Sequence, residues 1–251
     1  MSGGQDLPGY FFGQSSFANH SNVPESSVVN ISHLITEERD MHAYAAMGCS
    51  FQAGSATITK LAGARKEDSV VIMGVGAVGL SAIMAAKICR CSPIIAVDLH
   101  ETRLQMAREL GATHVINTSI DSVDLAAEIQ TITNGNGPTI TVDTTGSPAL
   151  CKDGLDFTAD NGKMILLGTP PLDAEFNIGN LVGFIKSGKS LVGSMEGDAI
   201  PGKHIPQMIR WFKSGIFPID RLVKTYKVEN FEAAISDMKA GSTIKPVLLW
   251  K

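Results

Sequence analysis

The chain has 251 residues, enough for one large domain or two unequal lobes. Apolar residues make up 44% and charged residues 18%, which supports a sizeable buried core and excludes wholesale disorder. Lys plus Arg number 21 against 25 Asp plus Glu, and the net charge of −4 offers no electrostatic footprint for nucleic acid or an anionic membrane. Residues 1–14 carry no apolar stretch between a basic start and a small-residue cleavage site, so no secretory signal is expected there. Residues 1–48 are polar and rich in Ser and Asn, with strand-like pieces such as 28–31. The stretch 69–86 is uncharged and long enough to suggest a membrane span. Gly74, Gly76 and Gly79 interrupt it, however, and the β-branched run before them is short, which favours a buried strand, a tight turn and a buried helix.

From residue 69 onward, short apolar runs alternate with helical patterns. Strands are expected at 70–74, 94–98, 114–117, 139–143, 163–168 and 190–194, and helices at 78–89, 101–110, 122–133 and 148–158. Leu104, Ala107 and Leu110 share one face of the second helix, and Gly111 stands where a helix C-cap belongs. Strands that are apolar throughout are buried on both faces, so the sheet is expected to be parallel with helices on either side. Beyond it, a helix is expected at 203–214, a strand at 222–226, a helix at 231–240 and a terminal strand at 247–250. The four cysteines, Cys49, Cys89, Cys91 and Cys151, are too few and scattered for a disulfide framework, which points to a reducing, cytoplasmic compartment.

Gly74-Val75-Gly76-Ala77-Val78-Gly79 is a G-x-G-x-x-G between a strand and an apolar helix, and Asp98 follows 19 residues after Gly79 at the end of the next strand. That is the spacing of a dinucleotide-binding βαβ unit. Gly74 permits the tight turn, Gly76 lets backbone N–H groups approach a pyrophosphate, and Gly79 lets the helix lie close to the strand, with its positive end toward the phosphates. Asp98 would accept from the adenosine ribose hydroxyls and would repel a 2′-phosphate, favouring NAD over NADP. A glycine-rich turn without a ligand is the alternative. On the same sheet edge, Asp143-Thr144-Thr145-Gly146 and Leu167-Gly168-Thr169 could line the cleft or be ordinary βα loops.

With Gly48-Cys49-Ser50-Phe51-Gln52-Ala53-Gly54 before this loop and Gly111-Ala112-Thr113-His114-Val115-Ile116-Asn117 after it, the chain resembles the zinc-type medium-chain alcohol dehydrogenases from about Phe11 to Lys251. Glu196-Gly197-Asp198-Ala199-Ile200-Pro201 resembles the branch acting on aryl and benzyl alcohols. The resemblance implies an α/β fold, a doubly wound parallel six-stranded Rossmann sheet flanked by remnants of a GroES-like barrel catalytic domain. Residues 1–49 would be the N-terminal remnant, 50–194 the NAD-binding domain and 195–251 the C-terminal segment of the catalytic domain. It further implies that Gly74 to Gly79 hold the pyrophosphate, with Asp98 and Arg103 at the adenosine ribose and Thr144 and Thr145 beneath the adenosine side. Leu167, Gly168 and Thr169 would contact the nicotinamide amide through their backbone, and Lys245 would stand where many members carry a phosphate-binding Arg.

Cys49 matches one ligand of the family's catalytic zinc. The other ligands, the proton-relay hydroxyl and the four close cysteines of a structural zinc have no match, so the chain is expected to be truncated at its N-terminus. Catalytic zinc needs three protein ligands, and Cys49 reads either as one of them or, preferably, as a buried free thiol. No catalytic residue is assigned. Two functions follow: an NAD-dependent oxidoreductase interconverting a small alcohol and an aldehyde, or a degenerate NAD(H)-binding module that partners another subunit. The resemblance also implies a homodimer or homo-oligomer pairing through the edge strand at 190–194.

Overall fold

The computed structural model describes residues 17–250. The reading of residues 1–14 as no signal peptide, and the start of the resemblance at Phe11, lie outside these. Two short helices come first, α1 (Glu38–Tyr44) and α2 (Ser50–Ala56), and α2 continues into a π-helical turn at Thr57–Leu61. The alternating region follows as β1 (Val70–Met73), α3 (Ala77–Ile88), β2 (Ile94–Asp98), α4 (Glu101–Leu110), β3 (His114–Asn117), α5 (Leu125–Ile132), β4 (Ile140–Asp143), α6 (Pro148–Phe157), β5 (Lys163–Leu166), α7 (Leu181–Ser187) and β6 (Ser190–Gly193). The chain then forms α8 (Pro201–Lys213), β7 (Val223–Lys227), α9 (Phe231–Lys239) and β8 (Lys245–Leu249).

The six strands make one sheet in the order β3-β2-β1-β4-β5-β6, every pair parallel, which is the Rossmann-type α/β architecture expected from the sequence. Every residue of β1, β2 and β4 is buried; β1 is apolar throughout, β2 is apolar up to Asp98 at its end, and β4 carries Thr141 and Asp143 among its apolar residues. Alternate side chains feed two cores. Val70 and Ile72 of β1 join Phe51, Ile83, Leu104 and Met208 on one face, and Val71 and Met73 join Ile129, Leu155 and Met164 on the other. The first core binds α2 and α8 to the sheet as part of one apolar body. A second sheet among the described residues is the parallel pair β7–β8.

Local chemistry sets the element ends. The Asp124 side chain accepts from Ala127 N at 3.0 Å, so α5 starts at Leu125 and not at the expected 122. Ser147 caps α6 with Pro148 at its first position. Gly111 closes α4 as the pattern predicts. The stretch expected as a strand at 28–31 is not one. It lies between 3-10 turns at Glu25–Ser27 and Ser32–Leu34 and has no pairing strand, while Asn30 Oδ1 accepts from Ser32 N and turns the chain. The uncharged stretch 69–86 resolves into β1, the glycine turn and α3, and no helix among the described residues is long and apolar enough to cross a membrane.

Candidate functional site: a crevice at the carboxyl edge of the sheet

β1 and β4 are neighbours at the point where the strand order reverses, and the loops after them form a crevice at their carboxyl ends. The glycine loop is shaped by contacts that forbid side chains at two of its three glycines. A Cβ on Gly79 would meet Gly74 O at 2.0 Å, and one on Gly74 would meet Thr144 Oγ1 at 2.7 Å. Gly76 is different. It caps α3 with φ −72° and ψ −162°, which any residue adopts, and a Cβ there would meet nothing within 4 Å. No neighbour in the fold requires glycine at Gly76, and the open space lies at the N-terminus of a twelve-residue helix.

Asp98 stands beside this loop, 7% exposed. Its Oδ2 accepts from Val75 N at 2.8 Å, and its Oδ1 accepts from Leu99 N at 2.8 Å and His100 N at 2.9 Å. A carboxylate offers about four lone-pair sites, so one acceptor position on Oδ2 is left. Arg103 Nη1 lies 3.9 Å from that oxygen, and the buried Arg103 Nε has no hydrogen-bond partner. Thr144 Oγ1 donates to Gly74 O at 2.7 Å and ties the loop after β4 to the glycine loop. Leu167, Gly168 and Thr169 after β5 line a cleft of about 720 Å³ together with Val78, Gly146, Cys151 and Glu196. Gly74 to Gly79, Asp98, Arg103, Thr144 and Thr145 therefore gather at one edge, with Leu167, Gly168 and Thr169 adjoining. Lys245 is placed differently. It projects from β8, and its Nζ donates to Ser50 Oγ at 2.8 Å at the start of α2.

Cys49 corrects the expectation of a buried thiol: it is exposed and lines the same cleft. Partial desolvation in the cleft pushes its thiol above the ordinary range, the Glu196 carboxylate adds to this, and Lys245 opposes it. Glu196 is held in turn by Gln52, whose Nε2 donates to Glu196 Oε2 at 3.2 Å. Sequence reasoning assigned no role to Gln52 or Glu196 in this wall, because they lie 144 residues apart and meet only through the packing of α2.

The family model described as "Zinc-binding dehydrogenase" matches residues 77–214, from the first residue of α3 to the residue that caps the end of α8. The chain belongs to that family. It is 31% identical to the geraniol dehydrogenase of Castellaniella defragrans, over all of this chain and 67% of that protein. A probable alcohol dehydrogenase of a Pseudomonas species is 32% identical over 86% of this chain and 66% of that protein. Among solved structures, the benzyl alcohol dehydrogenase of Acinetobacter calcoaceticus superposes with a TM-score of 0.88 at 37% identity, over 95% of this chain and 64% of that one. The chain thus spans about two thirds of the length of these relatives.

The two groups that this family suggests fit differently. A dinucleotide fits the space at Gly76 and the remaining acceptor on Asp98. A catalytic zinc does not fit: among the described residues no three His, Cys, Asp or Glu side chains cluster to hold a metal ion, and Cys49 and Glu196 fall one ligand short.

Proposed function

We propose that this chain binds NAD(H) in the crevice at the carboxyl edge of its sheet and serves the interconversion of a small primary alcohol, aryl or otherwise, and its aldehyde by hydride transfer. The observation that carries this reading is Gly76, whose ordinary backbone angles and empty surroundings give the fold no steric reason for glycine but give a closely approaching pyrophosphate one. The activities named for the geraniol and benzyl alcohol dehydrogenases support the substrate class.

When bound, NAD supplies a hydride acceptor at its nicotinamide. The chain's own residues bind and orient it. The N–H groups from Gly76 onward, at the N-terminus of α3, face the phosphates, while Asp98 accepts from the ribose beside Arg103. A 2′-phosphate would meet a carboxylate already fixed by three backbone donors, which selects NAD over NADP. Thr144 and Thr145 floor the adenosine side, and Leu167, Gly168 and Thr169 offer backbone groups to the nicotinamide amide. Lys245 adds positive charge at the start of α2, without the bidentate geometry of an arginine.

The second reading, an NAD(H)-holding module without turnover, is favoured by the missing third metal ligand among the described residues. Steady-state oxidation of benzyl alcohol and geraniol with NAD, with and without added zinc, separates the two. NADH formation above the enzyme-free rate supports the oxidoreductase. A chain that binds NADH but forms none leaves the module reading.

Self-association belongs to the same proposal. β6 is an edge strand, and α7, which leads into it, exposes Leu181, Val182 and Ile185. Ser190 N and Ser194 N point to β5, so by the two-residue period Gly193 N points outward. Light scattering is expected to give twice the chain mass for the wild type and the single-chain mass for Gly193→Pro, which blocks the edge without removing a ladder bond. A monomeric wild type would refute this arrangement. The four cysteines are all free, which suits the cytoplasm.

A further inference from the structure

β4 ends on Asp143, a carboxylate that is 0% exposed and takes part in no ion pair among the described residues. A buried charge without a counter-ion persists only where hydrogen bonds satisfy it. Oδ1 accepts from Thr145 N at 3.1 Å and Thr145 Oγ1 at 2.5 Å, and Oδ2 accepts from Gly146 N at 2.9 Å. The Cys151 thiol also meets this carboxylate. Burial first, and then the Asp143 charge, push that thiol up to about 12, so it remains a donor at neutral pH. The backbone carbonyl of Asp143 accepts from Leu167 N at 2.9 Å and Gly168 N at 3.0 Å. One residue therefore holds both the loop after β4 and the loop after β5. The two loops touch backbone to backbone, since a Cβ on Gly168 would lie 2.2 Å from Gly146 N. The loop after β4 reaches the glycine loop through Thr144.

We propose that Asp143 is a positioning residue for the dinucleotide: its buried carboxylate sets the loop after β4, against which the loop after β5 packs, without itself touching the ligand. The assignment rests on the NAD reading given above. Oδ1 and Oδ2 both face N–H groups, so an asparagine of the same shape would turn its NH₂ against a backbone donor and force one loop to shift. Other buried polar groups, such as Thr141 bonded to Thr158 at 2.7 Å, hold the fold without reaching the loops that line the cleft.

The test is titration of the folded protein with NADH, followed by fluorescence, for wild type, Asp143→Asn and Asp143→Ser, with the melting temperature of each measured without ligand. Asp143→Asn is expected to raise the NADH dissociation constant by about tenfold or more, the cost of an impaired charged hydrogen bond carried into binding. Asp143→Ser, which removes the carboxylate but sets no NH₂ group against a backbone donor, is expected to raise it several-fold. A role in stability alone would lower the melting temperature and leave the dissociation constant of the folded protein unchanged, and that result overturns the assignment. If Asp143→Asn does not fold, Asp143→Ser decides: binding as tight as wild type overturns it. A wild type that fails to bind NADH removes the dinucleotide reading and this assignment together, whereas normal binding by both wild type and Asp143→Asn removes this assignment alone.

Discussion

Alanine at Gly76 is expected to leave the melting temperature within about 2 °C of wild type and to weaken NADH binding by about tenfold or more, while alanine at Gly79 unfolds the protein at a visibly lower temperature. The two glycines lie three residues apart in one loop, and their surroundings differ. At Gly76 a methyl group enters open space with φ at −72°, so the fold loses about 0.5–1 kcal/mol of cap preference and regains a similar amount from the stiffer unfolded chain. The same methyl stands where backbone N–H groups would meet a pyrophosphate. At Gly79 the methyl would lie 2.0 Å from Gly74 O and 3.3 Å from Ile72 Cγ2, so α3 must move away from β1. Overpacking of that kind costs about 3 kcal/mol, or roughly 6–12 °C in a chain of this size. Scanning fluorimetry and an NADH titration on both variants check this. Gly76→Ala that binds as wild type would show that the loop is structural only.

Acid is expected to weaken the junction between α2 and α8 by about 3 kcal/mol. His204 of α8 is 2% exposed, and burial first, then the Lys60 charge, push its imidazole from the ordinary 6.5 down to about 4. The Ser55 hydroxyl donates to Phe51 O at 2.6 Å, so the 2.9 Å contact between Ser55 Oγ and His204 Nε2 has the imidazole N–H as donor, and Nδ1 is without a partner. Above pH 6.5 the ring is neutral in both states and has no effect. As pH falls through 6.5 the unfolded chain binds a proton that the folded one refuses, and stability declines until about pH 4, where the folded ring also charges. The span of about 2.5 units corresponds to about 3 kcal/mol. Asp40, whose carboxyl is held below its ordinary value chiefly by the Thr36 hydroxyl, loses stability in the same direction as it protonates. The His204→Gln variant therefore isolates the effect. Urea midpoints at pH 7 and pH 4.5 should diverge more for wild type than for the variant, and equal changes in the two would contradict this account.

The sheet is legible in the sequence because its central strands are buried on both faces: Val70 to Met73 and Ile94 to Val97 cannot be anything but apolar. The glycine loop is legible because close backbone approach admits only glycine at Gly74 and Gly79. α2 is not. Gly54, Ser50 and Ser55 are weak helix formers, and the helix exists because it is buried all round, with Gly54 pressed on Val78 O of α3 where a Cβ would stand 2.0 Å away. α7 was hidden similarly, with apolar Leu181, Val182 and Ile185 on its surface giving no helical stripe toward a core. At the site, Asp98 was marked by its distance from the loop. The roles of Asp143 and Cys151, and the exposure of Cys49, depend on which loops touch, and no local pattern carries that.

The expectations at Gly76 and Asp143 each require that the crevice between β1 and β4 take a dinucleotide. Calorimetric titration of the chain with NADH and, in parallel, NADPH tests it most directly. Saturable binding of one NADH per chain, competed by ADP-ribose and at least about tenfold weaker for NADPH because of Asp98, is the result expected. No heat with NADH, in a protein shown to be folded by its melting transition, would contradict it.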